Sequence, residues 1–145
     1  MSEKKVALVT GASSGIGQAT AQILSQQGFT VYGTSRSEFP SAASGGVKLI
    51  PLDVRSDTSV ARCVERVLDE VGRIDVLVNN AGHLIAGAIE EFTIERAQAQ
   101  FDTNLWGTVR MTRAVLPGMR SQHGGHIINV TSIVGLVAMA YWGFY

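Results

Sequence analysis

Thr10-Gly11-Ala12-Ser13-Ser14-Gly15-Ile16-Gly17 is the stretch on which the fold turns. Before it runs Lys5-Val6-Ala7-Leu8-Val9, a short apolar run that reads as a buried parallel strand. After it come Ile16, Ala19, Ile23 and Leu24, spaced like the apolar face of a helix. Three glycines therefore fall where a strand turns into a helix. Gly11 permits a tight turn, Gly15 lets the backbone come close to a ligand, and Gly17 lets the helix pack hard on the strand. The free N–H groups of the helix start, together with its dipole, make an anion site suited to a dinucleotide pyrophosphate. The order is Gly-x-x-x-Gly-x-Gly rather than Gly-x-Gly-x-x-Gly, and the Gly-Lys-Ser/Thr of a nucleotide triphosphate loop is missing. Glycines alone would also suit a turn with no ligand; the flanking strand and helix argue against that.

Composition narrows the choice. The 145 residues suggest one domain, and 46% hydrophobic content is ample for a core. Twelve basic residues balance twelve acidic ones, so no basic surplus exists to neutralise nucleic-acid phosphates. The lone Cys63 forms no internal disulfide, fits a reducing compartment, and falls on the apolar face of a helix, where core packing is expected of it. Met1-Ser2-Glu3-Lys4-Lys5 leads straight into a strand instead of a signal sequence, and no apolar run is long enough to span a bilayer. A cytoplasmic protein without nucleic-acid or membrane partners is expected.

Moving outward along the chain, the first helix should end near Gln26-Gln27-Gly28, with Gly28 as its left-handed cap. Thr30–Ser35 reads as the second strand, with Arg36 just past it. Residues 37–46 read as a loop around a weak helical turn. Val47-Lys48-Leu49-Ile50-Pro51-Leu52 reads as the third strand, with Asp53-Val54 at its carboxyl end. Asp57 is the expected N-cap of a helix whose apolar residues Val60, Cys63, Val64, Val67, Leu68 and Val71 repeat at i, i+3, i+4 and i+7, and Gly72 closes it. Ile74-Asp75-Val76-Leu77-Val78 is the expected fourth strand, leading into Asn79-Asn80-Ala81-Gly82. Helical character surrounds Ile94, Ala97 and Phe101; residues 104–119 read as a long helix with Pro117 near its end. His126-Ile127-Ile128-Asn129-Val130 is the expected fifth strand, ending at Thr131-Ser132. Such alternation predicts an α/β fold, a Rossmann-like doubly wound parallel sheet with helices on both faces. In such sheets ligands lie outside the carboxyl ends of the strands, where Gly11, Arg36, Asp53, Asn80 and Ser132 all fall. His83 and His126 lack metal-ligand spacing, and no metal is expected.

Taken together these motifs resemble the short-chain dehydrogenase/reductase family, in its Thr-Gly-x-x-x-Gly-x-Gly subgroup, over the whole chain. Epimerase relatives usually carry Gly-x-x-Gly-x-x-Gly instead. The resemblance implies a cofactor loop at Gly11, Ser13, Ser14, Gly15, Ile16 and Gly17, an adenine contact at Asp53-Val54, and a cofactor-lining motif at Asn79, Asn80, Ala81 and Gly82. It implies catalytic roles for Asn104, Ser132 and Tyr145, the last standing thirteen positions after Ser132. Tyr145 would be the general acid or base, Ser132 would hydrogen-bond the carbonyl oxygen, and Asn104 would hold a relay water. Each has a plain reading alone: a turn for Asn79 and Asn80, a helix cap for Asn104, a loop serine for Ser132, an aromatic in an apolar tail for Tyr145.

The implied reaction is hydride transfer between a nicotinamide and an alcohol or ketone. Cofactor choice follows from charge. Ser35 stands where NAD-preferring relatives carry aspartate, Arg36 follows at once, and no carboxylate comes before Glu38, so NADP(H) is favoured over NAD(H). The family's lysine four residues beyond the tyrosine has no counterpart in these residues, so the 145 residues alone are expected to be inactive. The apolar stretch 133–145 and the unprotected fifth strand read as part of a longer protein, with domain 1–145 lacking its last strands, paired helix and substrate loop. Homo-oligomers are expected of such a longer protein, built on the helix bearing Leu105, Trp106 and Val109. A non-catalytic NADP(H)-binding or interaction module is the other reading. His83, Leu84, Ser132, Val134 and Leu136 would give a fairly apolar substrate lining.

Overall fold

The computed structural model describes residues 4–37 and 44–145. Five strands form one parallel sheet: β1 (Val6–Val9), β2 (Thr30–Ser35), β3 (Val47–Pro51), β4 (Val76–Asn79) and β5 (His126–Asn129), in the order β3-β2-β1-β4-β5. Leu8 pairs with Tyr32 on one side and Leu77 on the other, so these side chains share a face. The helices are α1 (Gly15–Gln26), α2 (Asp57–Val71), α3 (Ile94–Phe101) and α4 (Gly107–Ser121). This is the expected Rossmann-like layering, with the strand order reversing direction beside β1.

Alternation along the strands feeds two cores. Val6, Leu8, Tyr32, Ile50 and Leu77 pack against Val60, Cys63, Val64 and Val67 of α2 and Met111, Val115 and Met119 of α4. Ala7, Val9, Val31, Val47, Val76 and Val78 pack against α1 through Ala21 and Leu24. Cys63 is core, as expected, and burial pushes its thiol up to about 12.

Several expectations need correction. Of the expected apolar stripe of α1 only Leu24 packs inward: Ile16 and Ile23 are 67% and 57% exposed and Ala19 is exposed too, while Gly17 and Ala21 are buried. Close approach to the sheet selects the small residues. The cap of α2 is Ser56, whose hydroxyl accepts from the Ser59 N–H; Asp57 is the first helical residue, where its charge still suits the dipole. The third strand ends at Pro51, and the fifth at Asn129. The fourth begins at Val76, and the preceding Asp75 adds a side-chain bond to its backbone bonds with Val6 and His126. Its Oδ2 accepts from Val6 N at 2.7 Å, its own N–H donates to Val6 O at 2.9 Å, and Arg73 grips the same carboxylate. The helix expected from Asn104 instead begins at Gly107, after a wide π-helical turn over Asp102–Trp106 that joins it to α3. Of the loop expected over 37–46, residues 38–43 lie outside the described residues; Ser44–Gly46 form a short 3₁₀ turn.

Candidate functional site

The chain turn after β1 follows from the glycines. Gly11 has φ +65°, and a Cβ on it would meet the Ala81 Cα at 3.0 Å. A Cβ on Gly17 would lie 2.3 Å from both the Gly11 carbonyl oxygen and Asn80 Nδ2. Gly15, with φ +55°, faces open space, with nothing within 4 Å of a Cβ. Ser14 stands at the N-cap in extended conformation and makes no side-chain cap bond. The first N–H groups of α1 are thus left for a ligand, and no acidic residue stands in the first turn to compete.

Thr10 ties this turn to the segment after β4. Its hydroxyl oxygen accepts from the N–H of Asn80 and of Ala81, both at 2.9 Å. Asn80 Nδ2 donates in return to the carbonyls of Thr10 at 3.0 Å and Gly11 at 3.1 Å. Thr10 was legible as part of the motif, yet its buried position as the joint between the two segments came only with the fold. Asn79 looks the other way, donating to Asn129 Oδ1 at 2.9 Å, and its own buried Oδ1 meets no partner among the described residues.

A cleft of about 1000 Å³ opens over the carboxyl ends of the strands. Every residue expected at the cofactor or catalytic site lines it except Gly17, which packs behind the turn against Gly11 and Asn80, and Gly15, which faces open space. Gly11, Ser13, Ser14 and Ile16 form one wall; Arg36, Asp53 and Val54 stand past β2 and β3; Asn80, Ala81 and Gly82 follow β4. Asp53 is fixed by Arg55, whose hydrogen bonds hold the carboxyl down at about 2 against the opposing effect of burial. Val54 is buried under Gly107, where an added Cβ would come within 2.7 Å of Val54 Cγ2. Glu38 lies outside the described residues.

Asn104, Ser132 and Tyr145 line the same cleft. Asn104 sits inside the wide turn, not at a helix start, so the helix-cap reading fails. Its amide locks onto the His83 backbone: Oδ1 accepts from the N–H at 3.0 Å and Nδ2 donates to the carbonyl at 2.8 Å. Ser132 caps a short 3₁₀ turn, Ile133–Gly135, and accepts from Val134 N at 3.4 Å, which leaves its own proton to donate. Tyr145 is 42% exposed, with its ring edge-on to Trp142.

One functional position escaped sequence reasoning. Gln100 of α3 is buried, accepts from Ile85 N at 2.7 Å and donates to the Phe144 carbonyl. It thereby ties the loop after Gly82 to the segment that carries Tyr145. Phe144 stacks edge-on against Phe92, and the Tyr141 carbonyl accepts from Gly87 N at 2.9 Å. A polar residue on a short helix gives no signal of this kind in the sequence. Because the segment docks this way, Leu84, Val134 and Leu136 are not among the lining residues, and Leu136 is 86% exposed. His83 and Ser132 remain on the lining, joined by Leu105, Val130 and Phe144.

Residues 5–145 match the family model described as short chain dehydrogenase. The chain is similar to a 3-ketodihydrosphingosine reductase of Bacteroides thetaiotaomicron, with 49% identity covering 99% of this chain and 52% of that protein. It is similar to a 3-oxoacyl-[acyl-carrier-protein] reductase of Vibrio harveyi, with 41% identity over 95% of this chain and 59% of that one. Among solved structures, an actinorhodin polyketide ketoreductase variant with NADPH superposes with a TM-score of 0.92 at 35% identity, covering 98% of this chain and 58% of the other. The chain thus spans little more than half the length of these relatives.

Proposed function

Because the chain belongs to the short chain dehydrogenase family, we propose that it is the cofactor-binding and proton-transfer part of an NADP-dependent oxidoreductase acting on an alcohol or ketone. One observation carries the reading: the glycine turn, Arg36, Asn104, Ser132 and Tyr145, far apart in sequence, line one cleft. A nicotinamide cofactor fits what is there. The uncapped start of α1 would take the pyrophosphate, the open side of Gly15 leaves room for it, and Arg36 would meet the 2′-phosphate. When bound, the cofactor supplies or accepts the hydride.

The protein's own part is positioning and proton transfer. Ser132, with its oxygen turned to Val134 N–H, donates its proton to the substrate carbonyl oxygen and steadies the charge that develops there. Tyr145 gives its phenolic proton to that oxygen in reduction and takes it back in oxidation. Asn104 sets the His83 backbone beside them, and the relay water would lie against it. The substrate is a ketone on an apolar chain; Leu105, Val130 and Phe144 on the lining and the acyl-type substrates in the relatives' names support this.

The chain covers 52% and 59% of the length of two relatives, and a domain of their size would add further strands, a paired helix and a substrate loop. The exposed Leu105 and Trp106 would serve a homo-oligomer. A cytoplasmic setting suits the single, buried Cys63. Among the described residues, no helix is long and apolar enough to cross a membrane.

Lys4, Lys5 and Lys48 are the lysines of the chain, and none lines the cleft, so the 145 residues by themselves should bind cofactor with little turnover. The test is a fluorescence titration of the purified chain with NADPH and NADH beside a thermal melt. Saturable binding about tenfold tighter for NADPH is expected, as one charge-assisted phosphate contact of about 1.5 kcal/mol would give. Equal affinities would sink the cofactor assignment. Turnover of a 3-keto ester at family-like rates would sink the claim that the missing lysine matters.

A further inference from the structure

Three charged side chains meet at the adenine-side rim of the cleft: Arg36 past β2, and Asp53 and Arg55 past β3. Arg36 and Asp53 cancel, so these two alone would offer a 2′-phosphate no net attraction. Asp53 stays ionised at neutral pH, its carboxyl being held at about 2. Arg55 changes the balance. Its guanidinium lies against that carboxylate as a fork, with Nε 3.0 Å from Oδ1 and Nη2 2.7 Å from Oδ2, and its backbone N–H donates to Oδ1 at 3.0 Å.

The fork is not explained as a prop for the fold. Both side chains are well exposed, at 44% and 35%, and exposed pairs contribute little to stability. The next carboxylate, Asp102, is held by Arg110 at 2.7 Å, and Arg110 also reaches Asp57 at 3.2 Å. Among the described residues, Arg36, Asp53 and Arg55 together give the rim one positive charge.

We infer that Arg55 is a specificity-determining residue, which neutralises Asp53 and so lets Arg36 select a 2′-phosphate. The inference rests on the NADP reading above. Asp53 keeps the geometry needed to meet an adenine amine, while its charge no longer repels the phosphate on the neighbouring ribose. Selection is thus divided between the arginine that touches the phosphate and the arginine that silences the nearest anion.

The test uses the purified chain with adenosine 2′,5′-bisphosphate and adenosine 5′-monophosphate as probes, titrated at low and at physiological salt. The readout is the ratio of the two dissociation constants. The unaltered chain should prefer the bisphosphate. Arg55→Gln should narrow that preference about fivefold at low salt, the scale of one unit charge near a doubly charged phosphate in a wet cleft, and less at high salt. Arg55→Lys, which keeps the charge, should hold the ratio within about twofold. Asp53→Asn should widen it, a change of opposite sign that no loss of folding would mimic. If the unaltered chain shows no preference, or binds neither probe, the NADP reading fails and the inference goes with it. If the preference is present and Arg55→Gln leaves it unchanged in a chain that melts normally, the inference alone is overturned.

Discussion

On the face covered by α2 and α4 the strands present Leu8, Tyr32, Ile50 and Leu77; on the face covered by α1 they present Ala7, Val9, Val31 and Val78. The first face is filled by large side chains from two helices. The second is filled mostly by proximity, with Gly17 and Ala21 of α1 lying close to the strands, Leu24 packed beside them, and Ile16 and Ile23 turned to solvent. The site explains the difference. Helix α1 must start hard against the Gly11 carbonyl and Asn80 if its N–H groups are to face the cleft, and only small residues allow that. Ligand geometry sets the packing on one face, while hydrophobic area sets it on the other.

The contrast can be tested from its strongest expected effect downward. Leu77→Ala empties a fully buried site in the large-residue core and should cost about 3 kcal/mol, read as a shift of the urea midpoint. Asp75→Asn acts at the seam between the faces, where β1 meets β4, and should cost about 1–2 kcal/mol by weakening the Arg73 and Val6 bonds. It also carries a pH signature. Burial tends to raise the Asp75 carboxyl, but the bonds from Arg73 and Val6 outweigh it, and the net shift is downward. A carboxyl lowered on folding stabilises the fold above its unfolded value, near pH 4, and that contribution fades as pH falls through the folded value. Melts between pH 6 and pH 2 should therefore show a shallower acid slope in the Asn variant; an identical slope would remove Asp75 from the account. The smallest effect is expected of Ile23→Gln on α1, within about 0.5 kcal/mol. A loss near that of Leu77→Ala would mean that the outer side of α1 is covered after all.

The same contrast marks what could be read in advance. Helix α2 was legible because Val60, Cys63, Val64 and Val67 meet a wide apolar sheet, where periodicity and burial coincide. Helix α1 misled for the converse reason: its inner face is defined by Gly17 and Ala21, which carry almost no hydrophobic signal. The cleft was legible where a residue type is demanded by backbone geometry, as at Gly11, or by position at a strand end, as at Arg36 and Asp53. It was not legible where a side chain answers a backbone group distant in sequence. Gln100 bridging Ile85 and Phe144, and the Asp75 carboxylate accepting from Val6 N, are of that kind. Such contacts depend on which loops the fold brings together, and no local pattern records them.

The wide turn at Asp102–Trp106 has a consequence for what the chain can tolerate. A π turn is an α-helix holding one residue too many, and each residue advances the helix by about 100°. Ahead of the turn Ala97 and Gln100 point inward; beyond it Gly107, Met111, Val115 and Met119 do. Because the surplus is taken up as a bulge, the helix on either side keeps its phase, and removing one residue would let the hydrogen bonds close into an ordinary helix with Gly107 and Met111 still turned to Val54 and the core. What would be lost is the bulge that carries Asn104, whose amide holds the His83 backbone at the cleft. A shortened segment should therefore keep the fold and lose the site.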